Sequence, residues 1–169
     1  MIAKQDFDTP GDALPRPHEN CYWLLPGRVL AGEHPGTPAG VRAIEAAGVT
    51  HFIDLTADHD PVHRYAPATA AYERHPIADF GIPTVDGMRR TLDAIAAAVA
   101  GDGVVYFHCK AGIGRTGTVA GCLLVEHGFE APEALALLQR KWRVAGQRFG
   151  SPVTPETDAQ ARFIATWGL

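Results

Sequence analysis

The sequence predicts an α/β domain, with a central, mostly parallel sheet flanked by helices. Three observations predict it. Apolar runs of strand length alternate along the chain with stretches of helical periodicity. One run, Val104-Val105-Tyr106-Phe107, stops at His108-Cys109, crosses five residues containing two glycines, and re-enters an apolar stretch from Thr118 to Val125. That stretch is hydrophobic nearly all round, as in a helix buried between a sheet and other helices. Finally, 169 residues, 46% of them apolar, suffice for one domain with a sizeable core.

Residues 1–20 are polar and broken by proline, and read as a loose N-terminal arm, open to packing on later elements, before a single domain at 21–169. Cys21-Tyr22-Trp23-Leu24-Leu25 and Val29-Leu30-Ala31-Gly32 read as two strands around a Pro26-Gly27 turn. Thr37-Pro38 starts a helix with an N-cap and a proline at its first position, with Val41, Ile44 and Ala47 as its apolar face and Gly48 at its end. Val49 to Thr56 reads as a central strand, and Asp54 is expected to orient a loop by hydrogen bonds. Residues 57–71 hold Asp58, His59, Asp60 and His63, which are possible metal ligands. Their spacing matches no closed zinc set, so a solvated loop is the better reading, with a substrate-contacting rim as a third.

Tyr72 to Ile77 reads as a further strand that delivers Asp79-Phe80-Gly81-Ile82-Pro83. Thr84 caps a helix to about Ala100, with Val85, Met88, Leu92, Ile95 and Val99 on its core face. Asp86 in its first turn complements the helix dipole, and Arg89 and Arg90 either draw an acidic substrate or are simply solvated. Gly128 ends the buried helix, and Pro132 opens another that carries Leu135, Leu138 and Trp142 on one face. In the last helix Gln160 shares a face with Phe163, Ile164 and Trp167.

The net charge of -4 argues against a general nucleic-acid binder. No apolar run is long enough to cross a bilayer, so no stable membrane insertion is expected. Met1 to Leu14 is too polar for a signal peptide. Three cysteines at unrelated spacings, Cys21, Cys109 and Cys122, suggest no disulfide framework. A reducing, cytoplasmic compartment is the expectation, and Cys122 reads as inert core.

The chemistry concentrates between His108 and Gly117. Thiol ionisation is favoured at a helix N-terminus and beside cations, and Cys109 is expected where both act. Backbone N–H groups of a curled loop cradle an anion. The loop Lys110-Ala111-Gly112-Ile113-Gly114-Arg115 offers such amides together with a guanidinium fork suited to two phosphate oxygens. Thr116 places a hydroxyl near the thiol, and His108 is expected to tune it through hydrogen bonds.

His108-Cys109-x5-Arg115-Thr116-Gly117 resembles the signature of cysteine-dependent protein tyrosine and dual-specificity phosphatases. Asp79-Phe80-Gly81-Ile82-Pro83 resembles their mobile acid loop, the match beginning at Asp79. Arg143-Val144-Ala145-Gly146, Thr154-Pro155-Glu156 and Gln160 echo the C-terminal segment of the dual-specificity members. The larger tyrosine phosphatases do not fit in 169 residues, so a small bacterial dual-specificity type is the better match. The resemblance implies a phosphomonoester hydrolase. Cys109 attacks phosphorus, Asp79 protonates the leaving oxygen and then deprotonates water, and Arg115 with the loop amides holds the phosphoryl oxygens. It implies no metal and no cofactor. The substrate would be a phosphorylated protein (phosphotyrosine, with phosphoserine and phosphothreonine open) or a phosphorylated small molecule. Gln160 either positions the hydrolytic water or is a structural amide bonded to backbone.

Two other readings stay open. The Cys109-Lys110-Ala111-Gly112 start also resembles phosphoinositide and inositol-phosphate phosphatases, although Ile113 stands where those tend to carry a second lysine. A phosphate-binding adaptor without catalysis is the non-enzymatic reading, although such modules usually lose the cysteine, arginine or acid, and all three are present.

Overall fold

The computed structural model describes residues 1–145 and 153–169. Among them one sheet is built from β1 (Cys21–Leu25), β2 (Val29–Glu33), β3 (His51–Asp54), β4 (Ala71–Arg74) and β5 (Val105–Cys109). The helices are α1 (Pro38–Ala46), α2 (Val85–Ala100), α3 (Arg115–Glu126), α4 (Ala131–Trp142) and α5 (Asp158–Ala165). The strand order is β1-β2-β5-β3-β4. The β1–β2 hairpin is antiparallel and every other pairing is parallel, as expected for this class.

The sheet separates two apolar layers. On one face Leu24, Ile53 and Phe107 pack against Met88 and Ile95 of α2, Val119 of α3, Leu138 and Trp142 of α4, and Ile164 of α5. On the other, Trp23, Leu30, Phe52 and Tyr106 pack under Val41 and Ile44 of α1. Each such side chain contributes on the order of 1.5–3 kcal/mol when buried. Strand β5 lies in the middle with both neighbours parallel, and all five of its residues are buried. Its carboxyl end is where a parallel sheet opens a crevice.

Local chemistry sets the element boundaries. Thr37 Oγ1 accepts from Gly40 N at 3.1 Å and Thr84 Oγ1 from Gly87 N at 2.9 Å, so the two expected N-caps form. Several boundaries differ from expectation. β4 ends at Arg74 rather than Ile77, because Pro76 has no N–H to continue the ladder. Val85 is 64% exposed, because the buried face of α2 begins only at Met88, and Ala47 is likewise exposed beyond α1. The N-terminal arm packs against later elements. Phe7 is buried, Trp23 N donates to Gly11 O at 2.8 Å, and the Lys141 ammonium donates to Thr9 O at 2.7 Å. Among the described residues no helix is long and apolar enough to cross a membrane.

Candidate active site

The turn from β5 into α3 buries Cys109, which is 2% exposed. Two donors converge on its sulfur: Gly112 N–H at 3.2 Å and Thr116 Oγ1 at 3.1 Å. Gly112 sits at φ 76, and a Cβ there would lie 2.6 Å from the Gly32 carbonyl carbon. The close pass of β2 therefore demands glycine at this position. The rest of the loop is pinned on both sides. Lys110 is exposed, and its carbonyl accepts from His34 N at 3.2 Å. Ala111 packs against the core, and buried Ile113 accepts at its carbonyl from Thr154 Oγ1 at 2.6 Å. Gly114 N–H donates to the Glu156 carboxylate.

Arg115 opens α3 and is 2% exposed. Its guanidinium donates to Asp60 Oδ2 at 2.6 Å, Asp60 Oδ1 at 3.3 Å and Ile77 O at 2.9 Å, and lies 3.0 Å from Asp79 Oδ1. Burial opposes its charge, but the Asp60 bond and the nearby Cys109 and Asp79 more than offset this, and its pKa stands above the ordinary value. Burial likewise works against the Asp60 carboxylate. The bonds from Arg115 and from Ala57 N–H outweigh it and hold the group below the usual carboxylate range. Asp79 sits on a tight turn, where Phe80 adopts φ 60 and its N–H donates to Asp79 Oδ1 at 3.0 Å. The expected acid and the expected phosphate-binding arginine thus share one ion pair.

Behind the loop lies a sealed polar network. His108 Nδ1 is 3.0 Å from the Cys109 carbonyl, and its Nε2 is 2.5 Å from the Tyr65 hydroxyl. A carbonyl only accepts, so Nδ1 carries the proton and Tyr65 donates to Nε2. Burial pushes the His108 pKa down to about 4, so the imidazole is neutral at physiological pH. Asp54, fully buried, accepts from Thr56 N at 2.9 Å, Thr56 Oγ1 at 2.6 Å and Tyr72 OH at 2.7 Å. Burial alone would raise its carboxyl, but His108 and these hydrogen bonds leave it below the ordinary value.

Gln160 is buried, and its amide serves the backbone. Oε1 accepts from Glu156 N at 3.0 Å and Thr157 N at 3.2 Å, while Nε2 donates to Gly81 O at 3.1 Å. It ties the acid loop to the segment before α5. Gly146, part of the C-terminal echo, lies outside the described residues. Arg89 pairs with Glu126 at 2.9 Å and lies over the Trp167 ring, so it braces the end of the fold.

Three contributors were not legible as site residues. Asp60 was read with a solvated loop, but it is buried against Arg115. Tyr65 reaches His108 from the same loop, and Glu156 reaches Gly114 from the far end of the chain. A loop without periodicity gives no sign of what it folds onto. Among the described residues no group of three or more histidines, cysteines or carboxylates is placed to hold a metal. Asp58 instead pairs with Arg74 at 2.9 Å.

A family model described as Swiss Army Knife protein, DSP-PTPase phosphatase domain (PTP-SAK), matches residues 18–164. The chain is 29% identical over 120 residues to dual specificity protein phosphatase CDC14C of Homo sapiens, covering 62% of this chain and 26% of that protein. It is 32% identical over 133 residues to dual specificity protein phosphatase CDC14AB of Danio rerio, covering 69% of this chain and 21% of that protein. The chain thus spans about a quarter or less of these relatives' length. The solved structure of Tk-PTP in its active form superposes with a TM-score of 0.68 at 26% identity, covering 81% of this chain and 88% of that one.

Proposed function

The chain belongs to the DSP-PTPase phosphatase family, and on that premise we propose that it hydrolyses phosphomonoesters on proteins through a phosphocysteine at Cys109. The observation that carries this reading is the convergence of three groups. Cys109 Sγ accepts two hydrogen bonds, Arg115 opens the following helix, and Asp79 stands 3.0 Å from that guanidinium. In the first step the thiolate attacks phosphorus, the phosphorus–oxygen bond breaks, and Asp79 gives its proton to the leaving oxygen. Arg115 and the amides of Lys110 to Arg115 hold the phosphoryl oxygens as charge develops. In the second step water attacks phosphorus, a carboxylate takes its proton, and Cys109 leaves as thiolate with Thr116 Oγ1 donating to it.

His108 and Thr116 support the nucleophile, and Gln160 supports the acid loop. The substrates are phosphotyrosine proteins, with phosphoserine and phosphothreonine accessible to the same chemistry. The dual-specificity relatives and the buried, uncharged Ile113 both favour protein over inositol phosphates. An enzyme that depends on a thiolate suits a reducing compartment, which supports a cytoplasmic location.

Hydrolysis of p-nitrophenyl phosphate in EDTA and thiol tests the reading. Turnover by the wild type, abolished in Cys109→Ser, is the expected outcome. Equal turnover by both proteins would refute the thiolate mechanism.

A further inference from the structure

The segment before α5 places a second carboxylate on the phosphate loop. Thr154 Oγ1 donates to Ile113 O at 2.6 Å, and Gln160 Oε1 receives Glu156 N–H at 3.0 Å, so Glu156 is fixed from both sides. A Cβ on Gly114 would lie 2.7 Å from Glu156 Oε1, and the Gly114 N–H donates to that carboxylate. Glu156 and Asp79 are close enough to interact electrostatically, and both feel Arg115.

The three carboxylates at this end of the phosphate loop differ in what they have left to give. Asp60 is spent, because both its oxygens face Arg115 and one also accepts from Ala57 N at 2.6 Å. Asp79 is held by Arg115 and by Phe80 N–H. The Glu156 carboxylate accepts from one loop amide, the Gly114 N–H. The amide oxygen of Gln160, the other candidate for holding water, is taken by two backbone N–H groups.

We propose that the two protons of the reaction are handled by different carboxyl groups: Asp79 protonates the leaving oxygen in the first step, and Glu156 deprotonates the hydrolytic water in the second. In that second step a water O–H proton passes to the Glu156 carboxylate. The water oxygen forms a bond to phosphorus, the phosphorus–sulfur bond breaks, and its electron pair returns to Cys109. Inorganic phosphate leaves, and Glu156 returns the proton to solvent. Burial and the Asp79 charge raise the Glu156 pKa above the ordinary carboxylate value. Asp79, already paired with Arg115, need not turn from acid to base within one cycle.

This inference rests on the phosphatase reading, and rapid mixing with p-nitrophenyl phosphate separates the two. Release of p-nitrophenol reports the first step, and acid-quenched phosphoprotein reports the intermediate. The wild type and Glu156→Gln should release the first equivalent of p-nitrophenol at similar rates. Glu156→Gln should then accumulate phosphoprotein and turn over ~100-fold more slowly, with Glu156→Asp recovering part of the loss. Asp79→Asn should slow the first equivalent itself. Unchanged turnover in Glu156→Gln, or a first equivalent slowed as much as its steady state, overturns the assignment, the second by showing that Glu156 only braces the loop. A wild type that releases no p-nitrophenol overturns the phosphatase reading, and this inference with it.

Discussion

The two ends of the phosphate loop are built on opposite electrostatic plans. At the cysteine end, β5 carries His108 and Cys109 into the centre of the sheet, and the supporting groups are neutral or fully satisfied. His108 is uncharged, Tyr65 caps its ring, and Asp54 is satisfied by Thr56, Tyr72 and the Arg64 guanidinium at 3.4 Å. At the arginine end, Asp60 and Asp79 pair with one guanidinium and Glu156 stands beside the neighbouring Gly114; Asp79 is the open member of the pair at 35% side-chain exposure. Nucleophile geometry is thus fixed by a dry network that does not titrate near neutral pH. Proton transfer is left to carboxyl groups at the wet edge, where pKa values respond to neighbours.

The largest separation between the two ends should appear with Asp79→Asn. Steady-state hydrolysis of p-nitrophenyl phosphate should fall ~100-fold or more, while urea denaturation changes by less than about 0.5 kcal/mol, because the residue is partly exposed. Asp60→Ala should act on both quantities. Leaving a buried guanidinium without its main partner costs about 3–5 kcal/mol, and turnover should drop as Arg115 loses its orientation. Retained stability in Asp60→Ala would mean that Asp79 and the Ile77 carbonyl suffice to hold Arg115.

The cysteine end should show itself in acid. The folded-state pKa of His108 lies near 4 and its ordinary value is 6.5. The unfolded chain therefore binds the extra proton between those values, so stability is full above 6.5 and falls as pH drops towards 4. The loss attributable to His108 is on the order of 3 kcal/mol. Denaturation at pH 7 and pH 4.5 should show it, and His108→Asn should flatten that slope. The smallest effect is expected for Tyr65→Phe. Removing one hydrogen bond from a buried imidazole costs about 1–2 kcal/mol, read as a shift in the urea midpoint. A change in turnover exceeding that in stability would move Tyr65 from scaffold to chemistry.

The same division explains what could be read before folding. The cysteine end follows from sequence because its parts are contiguous: an apolar strand, a glycine-bearing loop and an apolar helix within residues 104–125. Asp79 was found through its Gly-x-Pro context. Asp60 and Glu156 sit in segments with no periodicity, and each acquires its role only by touching a residue of the loop, Arg115 or Gly114. Val85 fits the helical spacing of α2, yet the buried face of that helix begins only at Met88. The packing of the first twenty residues was hidden in the same way, since Phe7 meets the rings of His127 and Phe129, in the connection between α3 and α4, far along the sequence.

The most direct test of the account is to quench Glu156→Gln with acid during turnover of a phosphotyrosine peptide and map the protein by mass spectrometry. A phosphoryl group on the peptide containing Cys109, absent when Cys109 is also changed to Ser, is the predicted result. Full turnover with no phosphorylated Cys109 peptide at any quench time, or a phosphoryl group that persists in the Cys109→Ser background, would contradict it.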